Sequence, residues 1–87
     1  MKDVLLFITS WCPYCKKAFE LLESLWHEDP RYEHVFITVV DEEAQPELAD
    51  NFDYYNVPTF YVGGVKLLEG VPSKEAVKKV LEAAVSG

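Results

Sequence analysis

Both cysteines of this chain fall in one tetrapeptide, Cys12-Pro13-Tyr14-Cys15. It stands where a short apolar run gives way to an amphipathic stretch with helical spacing. Two thiols so placed suit thiol–disulfide exchange. Cys12 falls at the expected helix N-cap, where unpaired N–H groups and the positive end of the helix dipole favour a thiolate. Lys16 and Lys17 add nearby positive charge, and Pro13 fits the first turn, where no N–H is needed. Cys15 belongs to the helix's apolar stripe and is expected to be shielded. The outer thiol is therefore the expected nucleophile, which attacks a disulfide, and Cys15 the thiol that resolves the mixed disulfide. Trp11 and Tyr14 flank Cys12 and are expected to lie exposed, as contact residues for the partner.

Other uses of two thiols fit less well. A structural zinc site wants four ligands, commonly a second C-x-x-C or an H-x₃₋₅-H pair. The chain offers only His27 and His34, seven apart, and His27 falls about 22 Å along the helix from Cys12 at 1.5 Å per residue. No metal site within the chain is expected. The alternative to an enzyme is a redox-inactive binding module, or a metal or Fe–S carrier that joins two chains through Cys12. Metal assay and colour on purification separate these.

The pattern of apolar residues predicts the elements that hold the site. Val4 to Ile8 reads as a strand covered on both faces. From Pro13 to about Trp26, a stripe of Cys15, Ala18, Phe19, Leu22, Leu25 and Trp26 predicts a helix that ends before Asp29-Pro30. Val35 to Val40 reads as a second buried strand, parallel to the first because a helix connects them. Pro46 begins a short helix. Thr59–Val62 and Val65–Glu69 read as strands joined by Gly63-Gly64, a hairpin signal. Ser73 is placed to cap a last helix with a stripe of Ala76, Val77, Val80, Leu81 and Ala84. Tyr54, Tyr55 and Tyr61 read as packing residues. The order β-α-β-α-β-β-α implies an α/β fold: one four-stranded mixed sheet with helices on both faces.

Composition bounds the function. At 87 residues, half of them apolar, the chain is expected to be one domain, 1–87, able to bury a core. Its net charge is −7, which argues against binding nucleic acid or anionic membranes. Most of that charge lies in residues 41–72, with one basic and seven acidic side chains. Such a segment is either a solvated face or one that steers basic partners and repels acidic ones. The longest apolar run is too short to span a bilayer. A cytoplasmic monomer is expected, where structural disulfides are rare.

Over nearly all its length the chain resembles the thioredoxin superfamily. Cys12-Pro13-Tyr14-Cys15 is similar to the dithiol glutaredoxin tetrapeptide. Trp11 before it, Ala49, Phe52, Val57-Pro58-Thr59 and the Gly70-x-x-Ser73-Lys74 entry to the last helix resemble thioredoxins. The resemblance implies a thioredoxin fold, no bound cofactor, and substrates that are disulfide-bearing proteins or small disulfides. It implies electrons from glutathione or from a flavoprotein of the thioredoxin-reductase type. It also implies a cis Val57–Pro58 bond facing the cysteines, so that the Val57 backbone pairs with an incoming peptide. Glutaredoxins usually place a basic residue shortly before the first cysteine and an Asp in a Gly-rich stretch before the last helix. Here Phe7 to Trp11 has no basic residue and Glu69 to Ser73 has no Asp. Weak glutathione activity is expected, to be raised by Asp at Ser73 or Lys at Thr9. The buried acid that thioredoxins use is replaced by Leu6.

Overall fold

The structure, a computed structural model, describes residues 1–86. Its elements are β1 (Val4–Ile8), α1 (Pro13–Glu28), a 3₁₀ turn (Pro30–His34), β2 (Ile37–Asp41), α2 (Pro46–Ala49), β3 (Thr59–Val62), β4 (Val65–Glu69) and α3 (Lys74–Val85). The strands form one sheet in the order β2-β1-β3-β4. β1 runs parallel to β2 and antiparallel to β3, and β3 is antiparallel to β4. This is the expected α/β arrangement.

β1 is central, so its alternate residues serve two cores. Val4 and Leu6 face α1 and α3, where Ala18, Leu22, Leu25, Val77, Val80, Leu81 and Phe60 fill the larger core. Phe7 faces the other way, with Val40, Ala49 and Tyr61, under α2 and the chain that follows it. Phe7, Phe52, Tyr54 and Tyr61 form a close aromatic group, with Phe7 4.8 Å from Tyr54 and 4.9 Å from Phe52 between ring centres. Burying side chains of this size contributes on the order of 2 kcal/mol each.

The ends of the elements follow local rules. Gly63 and Gly64 have φ of 55° and 86°, the left-handed pair that a type I′ hairpin turn requires. The Ser73 side chain accepts a hydrogen bond from the Ala76 N–H and caps α3. Asp29 ends α1 and its carboxylate accepts from the Arg31 N–H, opening the 3₁₀ turn. Arg31 and Tyr32 then reach Glu82 of α3, and Lys74 pairs with Glu28, tying α1 to α3.

Three sequence expectations are corrected. β2 is an edge strand rather than a buried one: it starts at Ile37, leaves Thr38 and Val39 exposed, and Phe36 before it is exposed as well. With β1 on one side only, and α2 just four residues long, little is left to cover it. Tyr55 is 91% exposed, not packed. Phe19, on the predicted stripe, lies past the edge of the core and is partly exposed. Trp26 packs against the larger core, where its indole N–H has no partner.

Candidate active site

The carboxyl end of β1 delivers the chain to the amino end of α1, and Cys12 is the N-cap of that helix. Its φ and ψ are −84° and 117°, extended, as a cap requires. The Cys15 and Lys16 N–H groups close the first turn onto the Cys12 carbonyl at 3.1 and 3.3 Å. No side-chain oxygen caps the helix and no acidic residue lies in its first turn. The orphan N–H groups and the positive end of the dipole therefore have the Cys12 sulfur as their neighbour.

The two thiols have unequal surroundings. Both are free; Cys12 is half-buried and Cys15 is 2% exposed. Burial pushes the Cys15 thiol up to about 12, and the neighbouring Cys12 thiol and Glu42 carboxylate act in the same direction, against a backbone hydrogen bond from Thr9. A small cavity of about 250 Å³ beside them is lined by Thr9, Cys12, Cys15, Lys16 and Phe19, which accounts for the exposure of Phe19.

Facing Cys12 across the cleft is the loop before β3. The Val57–Pro58 bond is cis, and the Cys12 thiol lies 3.7 Å from the Val57 carbonyl, to which it donates. This loop is held from two sides. Val57 packs against the aromatic group around Phe7. The Glu69 carboxylate of β4 accepts from the Tyr55 and Asn56 N–H groups at 2.6 and 2.9 Å and is paired with Lys66 at 2.7 Å. These bonds hold the Glu69 carboxyl at about 2, well below the usual range, with Lys66 the largest cause.

Of the residues singled out in the sequence, Cys12 and Cys15 line one cavity, Cys12 faces the Val57 carbonyl before Pro58, and Pro13 lies exposed at the first turn of α1. Trp11 and Tyr14 flank Cys12, 73% and 50% exposed. Trp11 donates its indole N–H to Glu43 at 3.0 Å. Thr9 is only 4% exposed and its hydroxyl has no partner, so a lysine there would bury a charge rather than offer an anchor. His27 and His34 lie at the surface away from the site, His27 4.0 Å from Glu23. Among the described residues no three side chains of the ligating types converge, and no helix is long and apolar enough to cross a membrane.

Sequence reasoning missed Glu69, Glu43 and Glu42 as parts of this neighbourhood. Glu42 accepts from the Tyr54 hydroxyl at 2.8 Å and closes one wall of a cavity of about 410 Å³. Each carboxylate reaches the site from a different element, and only the acidity of the 41–53 segment hinted at two of them.

The glutaredoxin family model matches residues 4–67. Mouse glutaredoxin-3 is 31% identical over an alignment of 85 positions that covers 93% of this chain and 24% of that protein. The chain thus spans about a quarter of the length of the curated glutaredoxins it matches. The thioredoxin of Methanocaldococcus jannaschii is 27% identical over 77 residues and 88% of each chain. Among solved structures, the oxidised thioredoxin of Plasmodium falciparum superposes with a TM-score of 0.68 at 27% identity, over 93% of this chain and 78% of that one. The sheet and helices described above are a thioredoxin fold.

Proposed function

The chain belongs to the glutaredoxin family of thiol–disulfide oxidoreductases, and from that premise we propose that it reduces disulfides by a dithiol route with Cys12 as nucleophile. The observation that carries this reading is the inequality of the two thiols: Cys12 half-exposed at a helix N-cap, Cys15 buried one turn in. The Cys12 thiolate attacks one sulfur of the substrate disulfide. That bond breaks, a thiolate leaves, and the Cys12–substrate mixed disulfide forms. The Cys15 sulfur then attacks Cys12, losing its proton, and the second substrate thiolate leaves. The substrate has gained two electrons, and the protein holds a Cys12–Cys15 disulfide. An external thiol or dithiol reductant resets it.

The cleft supports this sequence. The Val57 backbone beside Cys12 is placed to pair with an extended peptide, as an added strand does. Trp11 and Tyr14 offer aromatic surface on either side. Two features disfavour glutathione as the main reductant. The anchors for its carboxylates are absent, and the nearest large cavity is lined by Glu42, Glu43 and Asp50. Disulfide-bearing proteins are the substrates this cleft suits.

The test uses Cys12→Ser and Cys15→Ser in insulin reduction with a dithiol. Both are expected to lose turnover. Only Cys15→Ser is expected to trap substrate as a stable mixed disulfide, visible by mass. Trapping by Cys12→Ser instead would reverse the assignment.

A further inference from the structure

A second cavity, formed by the chain after β2 and the loop that leads to Val57, takes no part in the exchange chemistry just described. Its volume is about 410 Å³, and its walls are Glu42, Glu43, Asp50, Phe52, Tyr54 and Tyr55. Two contacts connect it to the cleft. Phe52 and Tyr54 pack in the same group as Val57, which contacts Cys12. Glu43 accepts the indole N–H of Trp11, the residue before Cys12. These contacts tie the cavity walls to Trp11 and Val57, the residues on either side of Cys12.

The lining has one chemical character. Three carboxylates stand there with no basic side chain among them. Asp50 makes no side-chain hydrogen bond or ion pair among the described residues and is free to meet a partner. Tyr55 makes an independent observation. Its backbone is fixed by the Glu69 carboxylate at 2.6 Å, yet its ring is left 91% exposed. An exposed aromatic face on an anchored backbone, beside carboxylates, is a surface on which a guanidinium stacks while its N–H groups reach the acids.

We infer that this cavity selects disulfide substrates that carry a cationic side chain, arginine above all, next to the reacting cysteine. The inference rests on the dithiol reading and names its substrate class. It also gives a use to the one strongly charged segment of the chain. The same carboxylates repel acidic flanks, so the selection works by attraction and by rejection.

The test compares three heptapeptides, each with one central cysteine as its mixed disulfide with 2-thiopyridine, flanked on both sides by Arg, Gln or Glu. Release of thiopyridone by the reduced protein is followed at low ionic strength. The expected order of kcat/KM is Arg, then Gln, then Glu. About a tenfold gap separates first from second, the sum of a few exposed ion pairs and one cation–π contact. In 1 M salt, where screening acts over about 3 Å, the gap should shrink several-fold. Asp50→Lys is expected to level or invert the order, and Tyr55→Ser to cut the preference for Arg over a matched Lys peptide. Equal release from all three peptides at low salt would overturn the inference while leaving the dithiol reading intact. Release from none would overturn the dithiol reading, and the inference with it.

Discussion

Raising the pH should destabilise the reduced protein, and the share due to Cys15 can be isolated by one substitution. The Cys15 thiol is pushed from 9.0 to about 12, with burial the largest cause. In the unfolded chain it ionises near its ordinary value. Between about pH 9 and 12 the unfolded state therefore releases a proton that the folded state keeps. Unfolding is then favoured as pH rises, by about 1.4 kcal/mol per pH unit for one proton. The contribution is fully present below pH 9 and is lost progressively above it, up to about 4 kcal/mol at pH 12. The folded Tyr32 and Tyr54 hydroxyls are also raised, chiefly by burial, and destabilise with the same sign, so the wild-type curve alone does not isolate the thiol. The difference between wild type and Cys15→Ala does. Removing the sulfur costs a fixed amount at pH 7, but the two stabilities should converge as pH climbs from 9 to 11. Urea unfolding in the presence of a phosphine reductant, at half-unit steps, measures this. The oxidised protein should also lack the Cys15 share of the slope, since its sulfurs carry no proton. Parallel curves for wild type and Cys15→Ala across this range would refute the argument and show that the folded thiol titrates as a free one.

Glu69→Gln should loosen the loop that carries Val57: amide hydrogen exchange at Tyr55 and Asn56 is expected to rise about tenfold or more, with Phe60 unchanged, and substrate KM to rise more than kcat falls. Because the Glu69 carboxyl is held at about 2, the wild-type loop should stay anchored above the ordinary carboxylate range and loosen only as pH falls from about 4.5 toward 2, which exchange at the same two amides reports. Ser73→Asp should keep the α3 cap, since Asp caps as well as Ser, and raise glutathione-coupled turnover several-fold; no gain would mean that the missing anchor is not what limits glutathione. Leu22→Ala, at a side chain 1% exposed in the larger core, should cost about 2–5 kcal/mol in urea unfolding.

What the chain determines by itself is what local spacing controls. The unbroken apolar run Val4–Ile8, the stripe from Cys15 through Leu25, the paired glycines and the Ser73 cap each act within a few residues, and each of these elements stands where its pattern puts it. The inequality of Cys12 and Cys15 is of the same kind. One residue caps the helix that follows β1, while the other starts the buried stripe, and three positions suffice to say so. What the sequence does not hold is which elements become neighbours and how much cover each receives. β2 reads as buried because Val35 to Val40 is apolar and branched, yet the sheet order leaves it at an edge beside a four-residue helix. Tyr55 reads as packing because aromatics usually are, yet Glu69, fourteen residues on, pins its backbone so that the ring faces solvent. Glu42 and Glu43 come to the site from the end of β2, and Asp50 from the end of α2. The meeting of these carboxylates with Tyr54 and Tyr55 beside Cys12 is a property of chain crossing. Periodicity reports the face a residue presents to its own element, whereas the charge and shape of a cleft depend on residues brought together from several elements, and only the packed tertiary structure makes that choice.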